Sequence, residues 1–181
     1  MAEVRLDTVL RNRGRSVPVR RVGYLLKSDP SPFPVFSPER RAHWLRAAAA
    51  EPSLGIRPWI AGERYPGSSL PALIAAQAAR RQGEAGAATF HFTLFRIFLV
   101  DNRDISDHAV LEAAALRSGL DRDRFRLDLN DPALKEAVYA EHLEAVDSWG
   151  TEAVPTIIIG GDRIEGAAPM PLFEAALARL P

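Results

Sequence analysis

Of the residue types that perform covalent chemistry, the most reactive is missing: none of the 181 positions is cysteine. The thiolate is the attacking species in disulfide exchange and the ligand in sulfur-bound metal sites, so this chain alone excludes disulfides, such centres and a thiol nucleophile. The four histidines, His43, His91, His108 and His142, fall on separate predicted helices with no pair at the i, i+4 spacing of helical metal ligands, and no metal is expected. His91 lies among phenylalanines and reads as a hydrogen-bonded core or interface residue rather than a base. Gly14 and Gly160-Gly161 are followed by neither a Lys-Ser/Thr pair nor a helix start, which argues against a phosphate loop. Trp44, Trp59 and Trp149 are scattered and read as packing residues, Trp149 closing the last long helix against a sheet. No catalytic residue emerges. Val154-Pro155-Thr156 is the unusual constellation, because proline cannot donate to a ladder and here stands at the start of a β-branched strand.

The elements that position this site can be read by period. Residues 6–13 make a short helix ending at Gly14, and the β-branched and apolar segment 17–26 reads as a strand entering a Pro-rich loop over 27–38. Ser37-Pro38-Glu39 starts a helix to about Ala50, since the hydroxyl caps free amides and proline fixes the first helical φ. After a loop through Trp59 and Tyr65, Ser69 is expected to cap a helix that Gly83 and Gly86 break. A helix over 87–100 is apolar nearly all round and should be buried; Ser106 should cap 107–118, Asp121 opens a short helix, and Asp131-Pro132 opens a long one to Trp149. Thr156-Ile157-Ile158-Ile159 then suits a strand covered on both faces, turned by Gly160-Gly161 into Arg163-Ile164-Glu165. A last helix presents Leu172, Phe173, Ala176, Leu177 and Leu180 to the sheet.

Apolar content of 47% and charged content of 25% are ordinary for a globular domain, so one compact unit is expected over 1–181. Lys+Arg and Asp+Glu both number 23, which offers no field for nucleic acid or an anionic membrane, and no apolar run approaches bilayer length. The pairs Arg20-Arg21, Arg40-Arg41 and Arg80-Arg81 read as solvated faces. The opening residues show no basic-then-apolar leader, and the cytoplasm is the expected compartment.

The stretch from Gly150 through Val154-Pro155-Thr156 to Gly160-Gly161, with Gly166-Ala167-Ala168-Pro169 and Leu172-Phe173-Glu174, resembles the closing segment of DsbA-like oxidoreductases. Ser68-Ser69-Leu70-Pro71, Phe90-His91 to Leu94-Phe95, and Asn102-Arg103-Asp104 are similar to the helical insertion of that family's cytoplasmic branch, which also holds the hydroxychromene-carboxylate isomerases. The resemblance covers residues 17–180. It implies an α/β thioredoxin-like fold with a large helical insertion, its core at 17–36 and 150–181 and its insertion at 37–149. It also implies a cis Val154–Pro155 bond, with Val154, Pro155 and Thr156 binding substrate as an extended segment.

The departure from the family lies at the front, where its members carry a strand and a Cys-x-x-Cys or serine motif. The chain therefore reads as an N-terminally truncated member of the thiol–disulfide oxidoreductase family, redox-inactive in this form for want of a thiol. A peptide or small thiol ligand remains an expected partner. The other readings are a glutathione-dependent isomerase or transferase of the kappa or hydroxychromene-carboxylate type, and a binding module or gene fragment without activity. Against the glutathione reading, the usual aromatic-Gly-x-Asp-Arg ending is replaced by Glu165-Gly166-Ala167-Ala168-Pro169. The strand implied as absent would lie between 17–26 and Thr156-Ile159, and its loss would leave open edges that favour a homodimer.

Overall fold

A computed structural model describes residues 1–14, 17–26, 36–60 and 65–180. The helices are α1 (Ala2–Asn12), α2 (Pro38–Ala50), α3 (Leu70–Arg80), α4 (Glu84–Leu99), α5 (His108–Arg117), α6 (Arg122–Leu129), α7 (Pro132–Leu143) and α8 (Met170–Ala178). A single π-helical turn, Glu144–Ser148, prolongs α7, and the hairpin of β1 (Thr156–Ile159) and β2 (Asp162–Glu165) precedes α8. The chain falls into two compact units, Gly23–His142 and the combination of Met1–Val22 with Leu143–Pro181. The expected core segment 17–36 is thus divided after Val22, and the expected insertion ends in the second unit.

In the Gly23–His142 unit, α3, α4, α5 and α6 build the main core, to which α7 adds Leu134. Small residues on α3 (Ala72, Ala75, Ala78, Ala79) let α4 and α6 approach closely, and Phe90, Leu111 and Phe125 fill the space between them. Gly86 lies inside α4 rather than breaking a helix. A Cβ there would come within 2.6 Å of Leu120, so the glycine serves close packing. α4 is also less buried than its composition suggests: Phe90 and Ile97 are enclosed, while Phe95 is 42% exposed. A second cluster joins Trp44 and Trp59 to Phe36, Tyr65 and Phe98 through edge-on and tilted ring contacts at 5.0–6.1 Å. This bears out the packing role of two tryptophans. Burial raises the Tyr65 hydroxyl pKa, against the opposing pull of Arg40.

Caps follow local backbone conformation. Ser37 accepts from the Arg40 amide as expected, and Asp121 and Asp131 accept from the Arg124 and Ala133 amides. Ser69 does not cap α3, because its backbone is already helical (φ −86°, ψ −15°); the Ser68 hydroxyl takes the Leu70 amide instead. Nor does Ser106 cap α5. Extended Asp107 accepts from the Ala109 amide, while the Ser106 hydroxyl donates to Asp104.

The expected strand at 17–26 is not formed, since the described residues contain one sheet of two strands. Over 23–25 the backbone is held by side chains instead: the Gly23 amide donates to Glu141 at 2.7 Å and the Leu25 amide to His142 Nδ1 at 3.3 Å. Glu141 is itself held by Arg80 at 2.9 Å. β-Branched composition favours an extended chain, but a strand also needs a neighbour. Residues 27–35 of the expected loop lie outside the described residues.

Candidate functional site

In the smaller unit, the antiparallel hairpin pairs Thr156 with Glu165, Ile157 with Ile164, Ile158 with Arg163 and Ile159 with Asp162. Gly160 (φ 57°) and Gly161 (φ 96°) form the two-residue turn with both φ positive that matches strand twist. Ile159 and Ile164 face α1 and α8, where they are buried with Leu6, Val9, Phe173 and Leu177. Arg5 ties α1 to the carbonyls of Ala167 and Ala168, and Arg179 ties the end of α8 to Asp162 at 2.6 Å. Leu172, expected on the buried face of α8, points outward, because Phe173, Ala176 and Leu177 complete that face.

The sheet is covered on one face only. Side chains alternate across the pleat, so Thr156 and Ile158 share the second face with Arg163 and Glu165, and Ile158 is 38% exposed. The β-branched run therefore does not mark a strand enclosed on both sides.

Val154-Pro155-Thr156 enters this strand. The Val154–Pro155 peptide is cis, Val154 is 40% exposed, and the Thr156 hydroxyl donates to the Ala153 carbonyl at 2.7 Å. The Gly166 amide donates to the Pro155 carbonyl at 2.8 Å and continues the hairpin register beyond the last strand pair. Because a two-residue turn makes Ile159 and Asp162 a hydrogen-bonded pair, the alternation aims the peptide groups of residues 155, 157 and 159 at β2. Those of Thr156 and Ile158 point the other way. Neither Ile158 nor Val154 has a hydrogen-bond partner on that side among the described residues.

The approach to the site is fixed by charge. Arg20 grips Glu144 through two bonds of 2.6 Å, and the Trp149 indole donates to the same carboxylate at 3.2 Å. The Arg163 guanidinium donates to the Trp149 carbonyl. Trp149 thus meets the hairpin through its backbone, the residue being 44% exposed, and not by packing on the sheet as its position suggested. The arginine pairs are likewise more than solvated faces: Arg21 pairs with Glu3, Arg81 with Asp128 and Asp131, Arg41 with the Trp59 carbonyl, and Arg40 lies 5.1 Å from the Tyr65 ring centre.

The Arg20 and Trp149 donors hold the Glu144 carboxyl below its ordinary value of 4.5. A folded-state pKa below the unfolded one adds stability above the unfolded value and loses it as pH falls through the folded value. Glu144→Gln is therefore expected to lower stability most near neutrality and to flatten the acid limb, so that the two profiles converge as pH falls below about 4.5. Denaturation midpoints followed by tryptophan fluorescence across pH check this; parallel acid limbs for the two proteins would contradict it.

No thiol, imidazole, phenol or lysine amine belongs to the unit that holds Val154, since every histidine, lysine and tyrosine of the sequence falls within 23–142. His91 is half-buried against Phe92 and Phe95, ring centres 5.4 and 4.7 Å away. Among the described residues no group of three or more His, Asp or Glu could hold a metal, and no helix is long and apolar enough to cross a membrane.

The sequence profile of the DSBA-like thioredoxin domain matches residues 47–178. The chain belongs to that family. Its fold is similar to the "probable DsbA oxidoreductase" of Streptomyces coelicolor, with a TM-score of 0.81 and 20% identity over 98% of this chain and 82% of that one. The uncharacterized protein YwbO of Bacillus subtilis is 26% identical over 173 residues, 92% of this chain and 84% of its own length. The ClpXP adapter protein SpxH of Shouchella clausii is 29% identical over 96 residues, and this DsbA-like chain matches 32% of that relative's length. The family assignment agrees with the resemblance carried by the closing segment, and the fold is a mostly helical DsbA-like thioredoxin fold with a small sheet.

Proposed function

We propose that this DsbA-like chain is a thiol-free binding module that holds an extended peptide at Val154-Pro155-Thr156 and performs no disulfide exchange. The observation that carries the reading is the pair of exposed residues Val154 and Ile158, which have no hydrogen-bond partner on the open side among the described residues, in a unit without thiol, imidazole or lysine. An extended peptide gains affinity there by adding main-chain hydrogen bonds to the strand, and its alternate side chains meet the apolar surfaces of Val154 and Ile158. The Thr156 hydroxyl already donates to the Ala153 carbonyl, and the carboxylate opposite it, Glu165, is paired with Arg163, so Thr156 supports binding geometry rather than nucleophilic attack. A relative named as an adapter lends support to a role in binding. The reading needs no resident cofactor and takes the cytoplasm as the compartment.

In an insulin-reduction assay the purified chain is expected to match the buffer blank, and turnover above it would defeat the redox-inactive half of the proposal. A fluorescein-labelled, uncharged peptide of alternating valine and threonine is expected to bind saturably, with amide shifts confined to residues near 154–158. No saturation, or shifts elsewhere, would defeat the binding half. Glutathione is expected to give no saturable binding, and saturation would favour the isomerase or transferase reading.

A further inference from the structure

The geometry points to a second copy of this chain as an occupant of the open edge of β1, pairing antiparallel to form a continuous four-stranded sheet across two molecules. The inference shares its edge with the peptide-binding reading, but it names a different partner.

The first ground is the set of backbone groups left over. Thr156 and Ile158 each aim one N–H and one C=O away from β2, two residues apart, which is the repeat of an antiparallel hydrogen-bonded pair. An identical strand turned about Ile157 sets Thr156 of each copy opposite Ile158 of the other, so the four groups of one molecule meet the four complementary groups of its mate. The match requires no change in register on either side.

The second ground is the absence of any device that keeps such an edge apart. β1 reads Thr-Ile-Ile-Ile, with no charge and no lysine; its neighbouring proline, Pro155, directs its carbonyl to Gly166 on the hairpin side. Edge strands that remain single ordinarily carry charges, bulges or prolines along the open side. Here Ile158 stands 38% exposed on the uncovered face.

The third ground is charge. Arg163 lies opposite Ile158 and Glu165 opposite Thr156 on the hairpin. Continuing each row across the proposed seam gives arginine, isoleucine, threonine, glutamate, so every row ends in opposite signs and no like charges face one another at the seam. Arg163 and Glu165 of one molecule are already paired at 3.1 Å, which leaves neither seeking the seam.

Sedimentation velocity over a wide concentration series of the full 181-residue chain tests this, with amide exchange at residues 156 and 158 read in the same samples. The expected result is reversible dimerisation, with both amides slowing as concentration rises. Ile158→Lys, which adds an exposed charge at the seam, is expected to weaken association about tenfold or more, a cost of ~1.4 kcal/mol or above. Leu172→Lys, on the exposed side of α8, is expected to leave it unchanged. A monomer at every concentration, a dimer indifferent to Ile158→Lys, or concentration-independent amide exchange would overturn the inference. A strict monomer that still binds the valine-threonine peptide overturns only the self-pairing, whereas a dimer that dissociates under Ile158→Lys but never takes the peptide overturns only the binding proposal.

Discussion

Phe173→Ala is expected to destabilise the smaller unit by about 3–5 kcal/mol, the range for removing a fully enclosed phenylalanine. Phe173 is 0% exposed and shares its cluster with Leu6 and Val9 of α1, Ile159 and Ile164 of the hairpin, and Ala176 and Leu177 of its own helix. It is the one large ring in a small apolar assembly, so neighbouring side chains cannot refill the space without shifting α1 or the hairpin. A loss of that size is a large share of the ~5–15 kcal/mol that keeps a typical domain folded. Urea denaturation followed by far-UV circular dichroism gives the value; a change below about 1 kcal/mol would mean that α1 and α8 close over the gap. The candidate binding edge should fail with the cluster, because β1 and β2 lie on it.

The second large effect is expected at Glu141. Its carboxylate accepts from the Gly23 amide at 2.7 Å while paired with Arg80 at 2.9 Å, and its side chain is 14% exposed. Glu141→Ala removes both a charge-assisted hydrogen bond and the counter-ion of a partly enclosed guanidinium. The expected cost is about 2–3 kcal/mol, below the figure for a fully enclosed pair because Arg80 retains contact with water. Glu141→Gln keeps an oxygen for the Gly23 amide and should cost about half as much. Gly23→Ala probes the same junction from the other side, since its Cβ would stand 2.9 Å from the Glu141 oxygen that takes the amide of residue 23. Equal midpoints for the wild type and Glu141→Ala would show that this segment is held by other means.

The features legible in the sequence are those whose causes are local. Gly160-Gly161 directly after a β-branched run gives the hairpin and its register, and Ser37-Pro38, Asp121 and Asp131-Pro132 give helix starts within a residue or two. Where two capping residues compete, the decision rests on backbone angles: Asp107 is extended and caps, Ser69 is helical and does not. What escapes a local reading depends on distant partners. Segment 17–26 has strand composition, yet the partners of Gly23 and Leu25 are side chains 118 and 117 residues onward. Ile158 sits in a uniformly apolar run, and only the fold decides that one of three successive isoleucines turns to solvent. The site itself was readable as Val154-Pro155-Thr156, while the open edge running from it to Ile158 needed the register of the hairpin.

The smaller unit is assembled from opposite ends of the described chain, with α1 packed on α8 and Arg5 reaching Ala167 and Ala168 across 162 and 163 residues. During synthesis, the Gly23–His142 segment has emerged in full before the hairpin and α8 exist, so α1 spends that interval with Leu6 and Val9 lacking their apolar partners. Closing the intervening span then carries an entropic cost that grows only as the logarithm of its length, and the contacts that repay it come from the later-synthesised hairpin and α8. The nascent chain thus passes through a stage in which the helical unit can fold while α1 is an exposed amphipathic arm, the stage at which a holding chaperone or a second nascent copy would meet it.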